Sequence, residues 1–398
     1  MSDHSIPQPK AEVFDPKHVS TLKTVLLLLG AVGIAGSVIL GRKFPEQFAY
    51  SWLFAFMYFF TIAVGCLFWT LVHHAVDAEW SVVVRRVLEN VAGLIPFIFL
   101  FFIPLICSAP ILWKWWNIPV GVDEILDQKR PFLSHWFFFT RLALYFIGLT
   151  SVALLMKRNS VRQDADGHPR YTIAMRKLAF IGIPVMGVSL TFGAVDWLMG
   201  LDYKWFSTMW GVYIFAGAAG SGMSLLVLLV TGLRQAGYLH HVVTREHYHI
   251  MGKLMLAFTV FWAYIGFSQY MLIWYGNIPE EISYFIRRNV MSWNLMSLGL
   301  VFGRFLLPFP FLLLQATKKN PRYLCMVAGW ILLMQMLDIY IIVLPMLHEK
   351  GVAFHWLDLC ALLAIGAPVA LFFINRLSQQ SLLAARDPRI FESIKLTN

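Results

Sequence analysis

Ten runs of about 20 mostly apolar residues recur along this chain, separated by short polar linkers. Each is long enough, at ~1.5 Å per residue, to cross a hydrocarbon layer of ~30 Å. Backbone N–H and C=O groups in lipid find no water, so such runs must satisfy them internally. The pattern therefore predicts an all-α polytopic membrane protein with spans near 22–41, 48–72, 90–113, 133–156, 178–201, 206–233, 250–276, 289–315, 323–346 and 355–376. Composition agrees: 59% of the 398 residues are hydrophobic and 14% charged, against about a quarter charged in soluble domains.

The net charge of +10 does not point to nucleic acid, because no basic block sits on a soluble region large enough to fold. It reflects the excess of Lys and Arg on cytoplasmic loops. More than twice as many Lys and Arg fall in the tails and the loops after even-numbered spans as in the loops after odd-numbered ones. Both termini are therefore expected in the cytoplasm, with the chain multi-pass in the membrane. The longest polar linker on that side runs from Lys157 to Lys177. The opposite face carries Trp113, Trp115, Trp116, Trp205, Trp274 and Tyr275, which suit an interfacial belt or a docking surface. No signal peptide is expected, since a polar run to about Ser20 precedes the first span without a small-residue cleavage site. Cys66, Cys107, Cys325 and Cys360 are scattered and form no C-x-x-C or C-x-x-C-H pair, which leaves nothing to attach a c-type haem covalently. On the sixth span Ala216, Gly220 and Ser224, with Gly217 and Ser221 beside them, read as a close helix–helix contact.

The polar residues inside the spans carry whatever chemistry the chain has, because charges at that depth face a bundle interior or a wet cavity and usually pair. Arg304 on the eighth span and Asp338 on the ninth are opposite in sign and deep. Gln335 lies three residues before Asp338, and Asn294 and Ser297 share the Arg304 face. On the seventh span Lys253, Tyr264, Ser268 and Tyr275 fall within about 60° of one another at 100° per residue. Asp196 lies about one turn from the outer end of the fifth span, with Ser189 on the same face. One reading is a set of buried ion pairs that fix helix register; the other is a route for protons.

Histidines mark the cytoplasmic side. Thr70, His73, His74 and Asp77 share one helical face, and His240, His241, His247 and His249 lie on the same side of the membrane. They read as solvated interfacial groups or as a proton-collecting mouth. Histidines are absent from mid-span positions, so neither a b-type haem nor a metal site is expected. No phosphate-binding Gly-rich loop, Ser–His–Asp set or H-E-x-x-H is present, and no residue is assigned a catalytic role.

Three stretches resemble a known family: Asp196–Tyr213 continuing through Ile214-Phe215-Ala216-Gly217, His249–Phe258, and Phe267–Glu281. They are similar to NrfD/PsrC-type integral membrane subunits, and more narrowly to the smaller NrfD-like subunit of bacterial alternative complex III, the ActF type. The resemblance implies a cytoplasmic tail (1–21), a first helix (22–47), four-helix bundles over 48–201 and 202–346, a tenth helix (347–376) and a second cytoplasmic tail (377–398). It implies membership of a quinol:cytochrome c oxidoreductase in a respiratory or photosynthetic chain. Its partners there would be membrane lipid, a second NrfD-like subunit, an iron–sulfur subunit, multihaem cytochrome c subunits, small membrane anchors and a cytochrome oxidase. The iron–sulfur clusters and c-type haems would belong to those partners. Quinone-binding relatives carry a histidine in the first helix of the first bundle; the matching stretch here, Phe59–Cys66, has none.

The resulting expectation is a membrane subunit that supports quinol oxidation and forms a proton path, without a redox metal of its own. The path would use His73, His74, Asp77, His249 and Lys253 at the cytoplasmic entrance, then Arg304 and Asp338, then Asp196. Three other readings stand beside it: direct binding of quinone or menaquinone by Asp196, Trp197 and Tyr203, a purely structural scaffold, and a secondary transporter. Glu280 and Glu281 are the candidate docking groups for partners.

Overall fold

The computed structural model describes residues 12–397; the earlier part of the N-terminal tail, with the opening of the polar run read there, lies outside them. The described residues form no strand, and ten helices are long and apolar enough to cross a membrane. They are span 1 (Pro16–Lys43), span 2 (Pro45–Ala75), span 3 (Glu79–Cys107), span 4 (His135–Asp166), span 5 (Pro169–Asp202), span 6 (Trp210–Gln235), span 7 (Arg245–Gly276), span 8 (Met291–Leu313), span 9 (Pro321–Met346) and span 10 (Trp356–Leu377). The protein is an all-α polytopic membrane protein.

Spans 2–5 close a ring, each packing on the next and span 5 returning to span 2; spans 6–9 close a second ring in the same way. The two rings meet along spans 2 and 6, while spans 1 and 10 pair with each other along the outside and rest on span 2. Without a hydrophobic driving force between helices in lipid, such contacts depend on close backbone approach. That approach is extreme here. A Cβ on Gly222 would sit 2.6 Å from the Gly65 carbonyl carbon, and one on Gly65 would overlap the Ala218 carbonyl. The tight spot is thus Gly222 against Gly65, one face over from the Ala216–Gly220–Ser224 stripe.

Two linkers expected to be polar loops are helix instead. Span 3 begins at Glu79 rather than near residue 90, so Arg85, Arg86 and Glu89 are buried helical residues. Their charges pair with one another and with neighbours, which is why hydropathy alone misplaces them. After Ala92 the span breaks into short turns, with Pro96 and Pro104 each removing a backbone donor. Most of Lys157–Lys177 is also helical, because spans 4 and 5 run past the apolar layer and join through Gly167, whose φ of 69° suits glycine.

The first described residues and the segment after span 10 meet on one side, called here the terminal face. Val13 bridges Ser381, the Leu382 N–H donates to the Glu12 carbonyl at 2.7 Å, and Phe14 packs on Tyr238. The opposite side, the far face, carries the linker between spans 7 and 8, which folds into an amphipathic helix, Pro279–Arg288.

Candidate functional site

The second ring contains a charged site open to a cavity. Span 8 forms one π-helical turn, Phe302–Leu306, in which the Leu307 N–H reaches back to the Phe302 carbonyl at 2.8 Å. Pro308 follows and has no N–H to offer the preceding turn, and the Gly303 carbonyl is instead capped by Trp330 Nε1 at 2.6 Å. The turn re-aims Arg304 into the ring; such single π turns recur at functional positions. Arg304 Nη1 donates to Asp338 Oδ2 at 2.5 Å, and Nη2 donates to Gln335 Oε1. The guanidinium stacks 4.4 Å from the Trp262 ring. Gly217 on span 6 makes room for it, since a Cβ there would lie 3.0 Å from Arg304 Nη2. Asp338, 3% exposed, also accepts from Tyr213 at 2.6 Å and from Trp262 Nε1 at 3.1 Å. A carboxylate at this depth is stable only with such partners.

Asp338, Tyr213 and Trp262 form part of the wall of a cavity of about 920 Å³. Span 7 packs on the terminal-side half of span 8; toward the far face the cavity separates the two helices. Exposed lining residues such as Tyr264, Phe267, Leu298 and Val301 place its opening on the lateral, lipid-facing surface. Helix Pro279–Arg288 contributes its roof. Pro345 cannot donate to the Ile341 carbonyl, and Arg288 supplies the missing donors: Nε to Ile341 at 2.9 Å and Nη2 to Ile342 at 2.6 Å, while Nη1 donates to the Tyr284 carbonyl at 2.8 Å. Burial pushes the Tyr284 phenol up to about 12, so it stays a neutral hydroxyl. Gln269 Oε1 is buried in this wall with no hydrogen-bond partner.

The first ring holds an analogous pair with a different environment. Arg141 on span 4 grips Asp196 on span 5 through Nε at 2.9 Å and Nη2 at 2.7 Å. Tyr145 donates to the same carboxylate at 2.9 Å. Arg141 Nη1 donates to the Phe132 carbonyl at 2.9 Å, and the guanidinium lies 3.8 Å from the Phe132 ring. Trp197 is boxed by Phe56, Phe60 and Phe102, so side chains fill the space beside Asp196. Tyr203 lies elsewhere: its hydroxyl donates to Asp123 at 2.8 Å in the far-face loop. Asp196, Trp197 and Tyr203 therefore do not converge on one open site. In that loop the Tyr203 hydrogen bond and the Leu126 N–H hold Asp123 down at about 2, and burial with the Asp123 bond pushes Tyr203 up to about 12.

The terminal-face residues correct the picture of a solvated mouth. His73 and His74 are 3% and 1% exposed. His73 packs on Trp69 and Trp80, and His74 Nε2 lies 3.9 Å from Glu89. Asp77 has left the helix at φ 50° and pairs with Arg176 and Arg389, so it does not continue the histidine face. His249 sits 3.6 Å from Glu246 on span 7, and Lys253 is exposed. Tyr264 and Tyr275 are also exposed, so the polar stripe of span 7 faces outward rather than into the bundle. No hydrogen bond links the His74–Glu89 group, the Arg141–Asp196 pair and the Arg304–Asp338 pair among the described residues. Glu280 is exposed and Glu281 partly so, both in the first turn of Pro279–Arg288, where carboxylates favour a helix N-terminus.

Asp196 was singled out in the sequence, but its pairing with the in-span cation Arg141 was not, because the two lie on different helices 55 positions apart. Arg85, Arg86 and Glu89 carried a signal in their i,i+3 and i,i+4 spacing. Tyr213, Trp262 and Arg288 had none beyond lying near apolar runs. No family model matches the chain, and no curated protein matches it.

Proposed function

We propose that this chain is a membrane subunit of a quinol:electron-acceptor oxidoreductase, supporting quinol oxidation and handling protons at Asp338, with no redox metal of its own. Its partners would be a second NrfD-like subunit, an iron–sulfur subunit, multihaem cytochrome c subunits, small anchors and a cytochrome oxidase, in a bacterial inner membrane with both termini cytoplasmic. The observation that carries the reading is a buried carboxylate at the wall of a large cavity: Asp338 is held by Arg304, Tyr213 and Trp262 yet borders about 920 Å³ of open space. Intramembrane acids in such settings mark proton relays. The filled surroundings of Asp196 give that acid a packing role instead.

The second reading, direct quinone binding, moves to the second ring. The Phe56–Phe60–Phe102 box leaves no room for a ring beside Trp197. The second-ring cavity is walled by Trp210, Tyr264, Phe267 and Tyr270, opens toward lipid, and offers the free Gln269 Oε1. Its one lining cation, Arg288, is committed to backbone carbonyls, and Arg304, behind the wall, to Asp338, which disfavours a phosphate head group and suits an uncharged ring. A lipid-soluble quinone carrying a photoreactive group tests this by crosslinking to spans 7 and 8; label confined to the first ring refutes it. Complex membership is tested by affinity purification of the tagged chain from native membranes in mild detergent. Co-purifying haem and iron–sulfur absorbance supports the reading, and a chain that elutes alone and colourless contradicts it.

A further inference from the structure

The terminal ends of spans 2–4 enclose polar atoms that the protein itself does not satisfy. Both ring nitrogens of His73 and of His74, Arg86 Nε and Nη1, Glu89 Oε2 and Ser160 Oγ are all buried without a hydrogen-bond partner. They are neighbours: His74 faces Glu89, Arg86 Nε lies 3.4 Å from Glu89 Oε2, and Arg86 Nη2 donates to the Ser160 carbonyl at 3.2 Å. Buried polar groups without protein partners are the places where ordered water resides, each molecule making two to four hydrogen bonds. His73, on the preceding position of span 2, packs against Trp80 at the edge of the same region.

This region is closed from the terminal face by the C-terminal segment. Asp387, 2% exposed, accepts from Arg85 Nη2 at 2.8 Å, and Arg85 in turn donates to Glu89 at 3.0 Å. Arg389 ties the segment to Asp77 at 2.9 Å and to Asp387 at 3.2 Å. Ser393 Oγ donates to the Trp80 carbonyl at 2.9 Å, and Leu382, Leu383 and Ile390 are buried beneath. The stretch is held by a few charged bonds and a handful of apolar side chains rather than by a spanning helix, which places it among the elements that open locally before the bundle does.

We propose that residues 381–394 form a releasable plug over a water-holding polar chamber built by His73, His74, Arg86, Glu89 and Ser160. Docked, the plug separates the chamber from the aqueous phase; released, it exposes the two histidines to it.

The test is hydrogen–deuterium exchange at the imidazole C2 position, read by mass spectrometry on the full-length protein in detergent, with D2O as the probe. His240 and His241, both exposed, serve as internal references. In the wild type His73 and His74 should exchange far more slowly than the references. Asp387→Asn weakens the grip on Arg85 and should speed both by about tenfold or more, since losing a charge-assisted hydrogen bond shifts local opening by that order. Ser393→Ala, which removes only the Trp80 tether, should give a smaller rise in the same two residues and covers the case in which Asp387→Asn fails to fold. Histidines that already match the references in the wild type overturn the proposal. So does faster amide exchange over 381–394 in either variant with no change at His73 and His74.

Discussion

Replacing Arg141 by Met tests whether the first-ring pair is a packed register lock. The substitution keeps the side chain's bulk but leaves the Asp196 carboxylate, 2% exposed, with only the Tyr145 hydroxyl at 2.9 Å. Removing one partner of a buried pair costs about 3–5 kcal/mol, because the other charge remains desolvated and uncompensated. That is roughly two to nearly four orders of magnitude in the unfolding equilibrium. Taking out the whole set has a different effect. Arg141→Met with Asp196→Leu strands the buried Tyr145 hydroxyl, at about 1–3 kcal/mol, and leaves the half-buried Phe132 carbonyl to water. Adding Tyr145→Phe removes that too, so the triple variant should lie within about 1 kcal/mol of the wild type or above it. Reversible unfolding in mixed micelles, followed by Trp fluorescence, reads all three. A triple variant as unstable as Arg141→Met alone would refute the reasoning, because the loss would then not come from an orphaned charge.

Gly222→Val should cost about 1–3 kcal/mol by forcing spans 2 and 6 apart, whereas Gly187→Val, with nothing within 4 Å of its Cβ position, should change little; the same unfolding assay decides. Arg288→Met leaves the Ile341 and Ile342 carbonyls without their side-chain donors, so amide exchange over Pro279–Arg288 should rise roughly tenfold or more while span 9 remains protected. Asp123, held at about 2 against an ordinary 3.8, favours the closed far-face loop fully above 3.8 and loses that contribution as pH falls through about 2. Proteolysis of the loop should therefore increase on acidification across that window, and Asp123→Asn should be equally sensitive throughout it.

The ten spans were legible because lipid imposes one rule on every segment, and hydropathy records it directly. Their ends were not. The first turns of span 3 carry Arg85, Arg86 and Glu89, whose mutual pairing lets charged residues stay buried, and a hydropathy reading treats them as loop. Spans 4 and 5 extend past the apolar layer on polar residues that follow helical geometry without being apolar. Arg304 and Asp338 were readable as a pair because both lie deep in successive spans with opposite sign, whereas Asp196 lies about one turn from the end of its span and its pairing with Arg141 was not. The cavity beside them was not, because it arises from a divergence of spans 7 and 8 and from a roof helix whose anchor, Arg288, looks in sequence like one more loop cation. His73 and His74 were singled out by position but misjudged in exposure, since their cover comes from Asp387 and Ser393, more than 300 residues away.

The central claim is that the two buried Arg–Asp pairs divide their roles: Asp338 handles protons at the cavity, and Asp196 holds helices together. Proton movement per electron, measured in proteoliposomes containing the assembled complex, tests it most directly. Asp338→Asn keeps the side chain's shape and should lower that ratio, while the Arg141→Met, Tyr145→Phe, Asp196→Leu triple variant should leave it at the wild-type value. An unchanged ratio in Asp338→Asn, or a loss confined to the triple variant, would contradict the account.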